Sequence, residues 1–180
     1  MKKFFIFISV LIIGIIVYVG LPIGKQVETE YLRIHIRANS NSEIDQSVKY
    51  QVKEQIVLYL TPILSTVTDK KDATNKLEKE LSNIEKIADR TLSENGFTYT
   101  SKAMIKNEEF PLRVYEDITL ESGYYDALIL NLGDGKGDNW WCVVYPPLCF
   151  VKSNAGYIYK SKIKEIIEKF YSRGNNEKIN

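Results

Sequence analysis

Histidine is almost missing from this chain of 180 residues. His35 is the single one, which excludes any catalytic or metal site built on two imidazoles. Cysteine is nearly as scarce: Cys142 and Cys149 alone cannot make a disulfide-built mini-protein or a four-cysteine zinc site. An excess of either charge is lacking too. With 24 basic against 23 acidic residues, the net charge of +1 leaves no electrostatic footprint for a nucleic acid. Internal repeats and low-complexity linkers are absent. What remains is a chain that is 44% apolar and long enough to bury one real core.

The apolar residues are unevenly placed. Phe4 to Ile23 reads FFIFISVLIIGIIVYVGLPI, twenty residues without a charge. As a helix this run spans about 30 Å, the thickness of a bilayer hydrocarbon core. Lys2 and Lys3 precede it, and positive residues stay on the cytoplasmic side, so the rest of the chain is expected to be exported. Residues 1–24 therefore read as a cleaved signal peptide or as a retained anchor crossing the membrane through residues 4–23. Without Lys2 and Lys3 the total of 24 basic residues falls to 22 against 23 acidic, so the exported part carries a net charge of −1.

Residues 25–172 read as one exported α+β domain, and the polar residues 173–180 as a disordered tail. TEYLRIHIRA (29–38) alternates, with Leu32, Ile34, Ile36 and Ala38 on one face and Tyr31, Arg33, His35 and Arg37 on the other. Period two predicts a half-buried strand with an exposed histidine. Ser42 and Asp45 approximate a capping box for a helix carrying Ile44, Val48, Val52, Ile56 and Leu60 on its apolar stripe, ended by Pro62. A second helix is expected over 72–95, with Leu77, Leu81, Ile84, Ala88 and Leu92 inward and Asn95-Gly96 as its stop. Phe97–Lys106, Leu112–Ile118, Tyr124–Leu132 and Asn139–Tyr145 read as strands, and residues 160–172 as a helix. The order β-α-α-β-β-β-β-α, behind an N-terminal hydrophobic helix, predicts a mostly antiparallel sheet packed with helices.

Gly133-Asp134-Gly135-Lys136-Gly137 invites a phosphate-loop reading, but a strand-like segment follows it where a helix N-terminus is required. A glycine-rich hairpin turn with positive φ is the expectation. Asp134 and Asp138 fall short of the ligand count calcium needs, and no pattern implies a cofactor. Cys142 and Cys149 bracket VVYPPL; an exported chain favours their pairing, worth about 2.5 kcal/mol by loop entropy, while two buried thiols would also suit the sequence. A thiol enzyme using Cys142 or Cys149 with His35 as base has no local nucleophile signature behind it. In a strand, Trp140 and Trp141 point to opposite faces.

Two segments carry a resemblance. RIHIRANSNSEIDQSVKYQVKEQI matches at Arg33, His35, Ala38, Asn39, Ser40, Ser42, Asp45, Gln46, Lys49 and Val52. The second runs from Phe110-Pro111 to Gly133-x-Gly135-x-Gly137-x-Asn139-Trp140-Trp141-Cys142 and ends in Pro146-Pro147-Leu148-Cys149. Over about residues 30–152 the chain resembles the stage II sporulation protein R family. The resemblance implies a forespore protein exported into the intermembrane space. There it activates a membrane-bound aspartic protease that processes the sigma factor E precursor, and it is not itself an enzyme. Asn39, Ser40, Asn139, Trp140 and Trp141 are the expected partner contacts. A membrane-tethered thiol enzyme and a passive envelope scaffold are the alternatives.

Overall fold

The computed structural model describes residues 29–115, 118–150 and 163–172. The hydrophobic segment 1–24 and the tail 173–180 lie outside the described residues. Along the chain come β1 (Leu32–Arg37), α1 (Glu43–Leu64), α2 (Lys70–Glu94), β2 (Ser101–Phe110), β3 (Arg113–Tyr115), β4 (Ile118–Leu120), β5 (Gly123–Leu132) and β6 (Asn139–Tyr145). A 3-10 turn at Leu148–Phe150 and a helix over 163–172, α3, complete an α+β fold.

The main sheet has the strand order β2-β5-β1-β6, and β3 pairs only with β4. β1 is antiparallel to β6 and β5 to β2, while β1 runs parallel to β5. Ile34 and Ile36 lie beside Leu128 and Leu130 on the inner face, all fully buried. Val48, Val52, Ile56 and Leu60 of α1 and Leu77, Ile84, Ala88 and Leu92 of α2 close over them. Burial of each large aliphatic side chain contributes about 1.5–3 kcal/mol. α3 adds Ile163, with Ile166, Ile167 and Phe170 packed at the margin as their spacing predicts. On the outer face of β5, Tyr125, Ala127 and Ile129 are also buried, so this strand is covered on both sides as expected.

Several expectations change. α1 continues through Pro62 to Leu64; proline falls in the last turn, where only one backbone donor is lost. Ile44 is 67% exposed, because the buried stripe starts at Asp45 and Val48 instead. The capping box is half formed. Ser42 Oγ accepts from the Asp45 amide, but the Asp45 carboxylate turns away toward the end of β1. α2 starts at Lys70, capped by Asp69, whose carboxylate accepts from the Asp72 amide at 2.8 Å. It stops as predicted, with Gly96 at φ 82° and the Phe97 amide reaching back to the Leu92 carbonyl at 3.0 Å.

That cap consumes Phe97, so β2 begins at Ser101 and runs on to Phe110. The amides of Ser101 and Ala103, on the open edge of the sheet, donate to Asp89 and Glu85 of α2. The expected strand Leu112–Ile118 is instead a short hairpin, β3 and β4. The glycine segment is not a hairpin either, since β5 and β6 do not pair: β1 lies between them. His35 and Arg33, expected at the surface, are fully buried.

Candidate functional site

The two signature segments meet at the C-terminal end of β1. To pass from β5 to β6, the chain must cross that end, and its glycines make the crossing close. The Gly137 amide donates to the Ala38 carbonyl (2.9 Å) and that of Lys136 to Asn39 (3.2 Å). A Cβ on Gly137 would stand 2.2 Å from the Ser40 carbonyl oxygen, so no side chain fits. Gly133 has φ +54°, and a Cβ there would strike Asn39 Oδ1 at 2.3 Å. The positive φ expected of this segment is found at Gly133 and Gly135.

Asp45 is the hub beneath this crossing. Its carboxylate accepts from Ser40 Oγ (2.5 Å), Asn39 Nδ2 (3.0 Å) and the Tyr99 hydroxyl (2.6 Å). Burial opposes its ionisation, but the bonds from Ser40, Tyr99 and Asn39 outweigh that and hold its carboxyl below the usual range. Burial and the adjoining carboxylate push the Tyr99 phenol up in turn. Asn39 Oδ1 accepts the Asp134 amide at 2.9 Å, and Asn41 Oδ1 that of Asp138 at 2.6 Å. Lys49, fully buried, donates to Gln46 Oε1 (2.6 Å) and to the Asp138 carbonyl (2.9 Å). Burial lowers its pKa, with Asp138 acting in the opposite sense.

Asn39 and Ser40, expected as partner contacts, thus have their polar atoms engaged inside the molecule. Asn139 pairs with Arg37 in the sheet, and its buried Oδ1 has no partner among the described residues. Trp140 and Trp141 take opposite faces, as strand geometry requires. Trp140 packs on the helical side, with Lys53 Nζ 6.0 Å from its ring centroid. Trp141 stacks on His35 at 4.8 Å and meets Phe110 edge-on at 4.8 Å. The structure joins Cys142 and Cys149 in a disulfide, with Cα atoms 6.3 Å apart; Cys142 is fully buried.

The outer face of β1 holds a second polar group. His35 Nε2 donates to Glu108 Oε2 at 3.0 Å, and Arg37 Nη2 to Glu108 Oε1 at 2.5 Å. Burial and the nearby Arg37 charge depress the His35 pKa to about 4 against the pull of Glu108, so the ring is neutral. Its Nδ1 has no partner among the described residues. The Arg33 guanidinium lies 4.2 Å from the Phe110 ring centroid and 4.8 Å from that of Tyr125, and Nη2 donates to the Tyr115 hydroxyl at 3.0 Å. Its Nε and Nη1 have no acceptor among the described residues.

Sequence reasoning missed Tyr99 and Glu108 and placed Tyr115 only within the second signature segment, without a role; all three complete these groups across long separations. Only the alternating charges of β2 hinted at Glu108, and nothing local marked Tyr99. Among the described residues no cluster of three or more histidines, cysteines or carboxylates is placed to hold a metal ion.

Comparison with known proteins gives a consistent result. The model of a family described as Stage II sporulation protein R matches residues 28–155. Stage II sporulation protein R of Bacillus subtilis (strain 168) is 30% identical over 148 residues, covering 82% of this chain. The match spans 64% of that relative's own length. No solved structure matches significantly. The matched region contains both signature segments and the crossing they build, and the chain belongs to the stage II sporulation protein R family.

Proposed function

We propose that this chain is an exported sporulation signal that activates a membrane-bound aspartic protease, the one that processes the sigma factor E precursor. Family membership over residues 28–155 carries this reading. The uncharged segment Phe4–Ile23 behind Lys2 and Lys3 supports delivery across the forespore membrane into the intermembrane space, either secreted or anchored. The chain acts as a ligand: its domain binds the extracytoplasmic face of the protease and favours the active state. Activation then requires tighter binding to the active form than to the inactive one.

The thiol-enzyme alternative needs a free sulfur. The Cys142–Cys149 bond supports setting it aside. Mass measurement of exported protein, with an alkylating agent under non-reducing conditions, separates the two readings. An unalkylated mass about two daltons below the dithiol form agrees with the ligand reading. Co-expression of this chain, the protease and its sigma substrate tests the function. Processing is expected only when this chain is present, and equal processing without it would overturn the proposal.

A further inference from the structure

Behind β6 the chain turns through Pro146 and Pro147 into the 3-10 turn Leu148–Phe150, which packs against β6 and α1. The backbone bonds of this corner stay within it. The Leu148 amide donates to the Pro146 carbonyl at 2.8 Å, and that of Phe150 to Pro147 at 3.2 Å. Phe150 is fully buried in the core on the helical side. Among the described residues, this packing and the Cys142–Cys149 bond join the corner to the sheet. The two sulfurs differ in access. Cys142 lies opposite Ile34 of β1 and is fully buried, whereas Cys149 is only partly buried at the margin of the core. Thiol–disulfide exchange depends on reaching a sulfur, so in the folded domain it enters this bond at Cys149. Cys142 also follows Trp141, which stacks on His35, so loosening this end of β6 reaches the signature strand β1.

We propose, on the exported-activator reading, that Cys142 and Cys149 form a redox switch that makes the chain competent to signal only after export. The chain is made in the cytosol, where thiols are kept reduced, and acts outside it, where disulfides persist. Before export both sulfurs are thiols, and the corner is held by the packing of its turn alone. After export, a dithiol–disulfide oxidoreductase supplies the oxidant. The Cys149 thiolate attacks that enzyme's disulfide, forming a mixed disulfide and releasing one enzyme thiolate. Cys142 then gives up its proton and attacks the Cys149 sulfur, and the second enzyme thiolate leaves. The chain loses two electrons, the enzyme's disulfide becomes a dithiol, and the protons of both cysteines pass to it.

The test compares full-length wild type, C142A, C149A and C142A/C149A in the co-expression assay, with thiols alkylated before and after export. Wild type is expected to take up alkylating agent at both cysteines before export and at neither after it. C142A is expected to accumulate a mixed disulfide through Cys149, and C149A none. Processing is expected to fall roughly tenfold for C142A/C149A, as for a competent form populated at about a tenth. Its melting temperature should fall by only about 5–10 °C, the effect of opening so short a loop. Wild type exposed to graded ratios of reduced to oxidised dithiothreitol separates a switch from a staple: processing should track the oxidised fraction while near-ultraviolet circular dichroism shows the reduced domain still folded. Full processing by C142A/C149A or by reduced wild type, unfolding of the reduced domain, or trapping through Cys142 overturns the switch while the activator reading stands. Wild type that leaves processing unchanged overturns the activator reading, and the switch with it.

Discussion

The two polar groups along β1 are built in opposite ways. At its C-terminal end, Asn39, Ser40, Asp45 and Gln46 form a closed set of hydrogen bonds that ties the glycine crossing to the start of α1. A few residues earlier, Arg33 and His35 are buried deeper, yet each keeps nitrogen atoms without a partner among the described residues. Both groups fall within the same signature segment. A shared motif therefore mixes residues whose polar atoms are all engaged with residues that keep some polar atoms unengaged among the described residues. Only their partners tell the two kinds apart.

Removing the hub should separate the groups most sharply. Asp45→Ala leaves Ser40, Asn39 and Tyr99 without their acceptor in a buried place. We expect a loss of about 3–4 kcal/mol in urea or guanidinium unfolding, with Asp45→Asn recovering part of it. A loss below about 1 kcal/mol would mean that solvent reaches this group and that the crossing is held by its backbone bonds alone.

The next effect belongs to His35. Its pKa is about 4 in the fold against 6.5 for an ordinary histidine. The unfolded chain takes up a proton at higher pH than the native one. The stabilisation from a neutral ring is thus complete above pH 6.5 and is lost as pH falls toward 4. The loss should reach roughly 2–3 kcal/mol. The Asp45 carboxyl is held below 3.8, so its contribution disappears only at lower pH, and the two groups titrate in separate windows. Unfolding midpoints at pH 7 and 4.5 should therefore differ for wild type and much less for His35→Gln; an identical slope in that variant would remove His35 as the cause.

Arg33 should give the smallest change in stability. Arg33→Gln removes a buried charge that has no carboxylate partner among the described residues, so stability is expected to stay within about 1 kcal/mol of wild type or to rise. A loss of several kcal/mol would show that the aromatic rings alone compensate the charge, and would bring the two groups onto the same footing.

Much of the fold was legible in the residues. Period two in TEYLRIHIRA, four-residue steps in α1 and α2, and apolar residues on both faces of β5 follow from side-chain geometry within one element. The Asn95-Gly96 stop and the opposite faces of Trp140 and Trp141 are equally local. Pairing was not local. His35 read as exposed because alternation separates two faces without saying what covers the second. Phe110, Trp141 and Glu108, which do so, come from strands more than seventy residues away. The glycine segment read as a hairpin because its turn chemistry suits one; it cannot report that β1 has come between β5 and β6. Asn39 and Ser40 offered polar atoms to a partner until Asp45, Asp134 and Tyr99 took their places around them.

The sequence by itself determined the α+β class, the limits of most elements, the family and its two signature segments, because each is written in neighbouring residues. Tertiary structure alone decided which side chains those segments use internally. A hydrogen bond needs its donor and acceptor within about 3 Å, and only the order β2-β5-β1-β6 brings Tyr99 to Asp45 and Glu108 to His35.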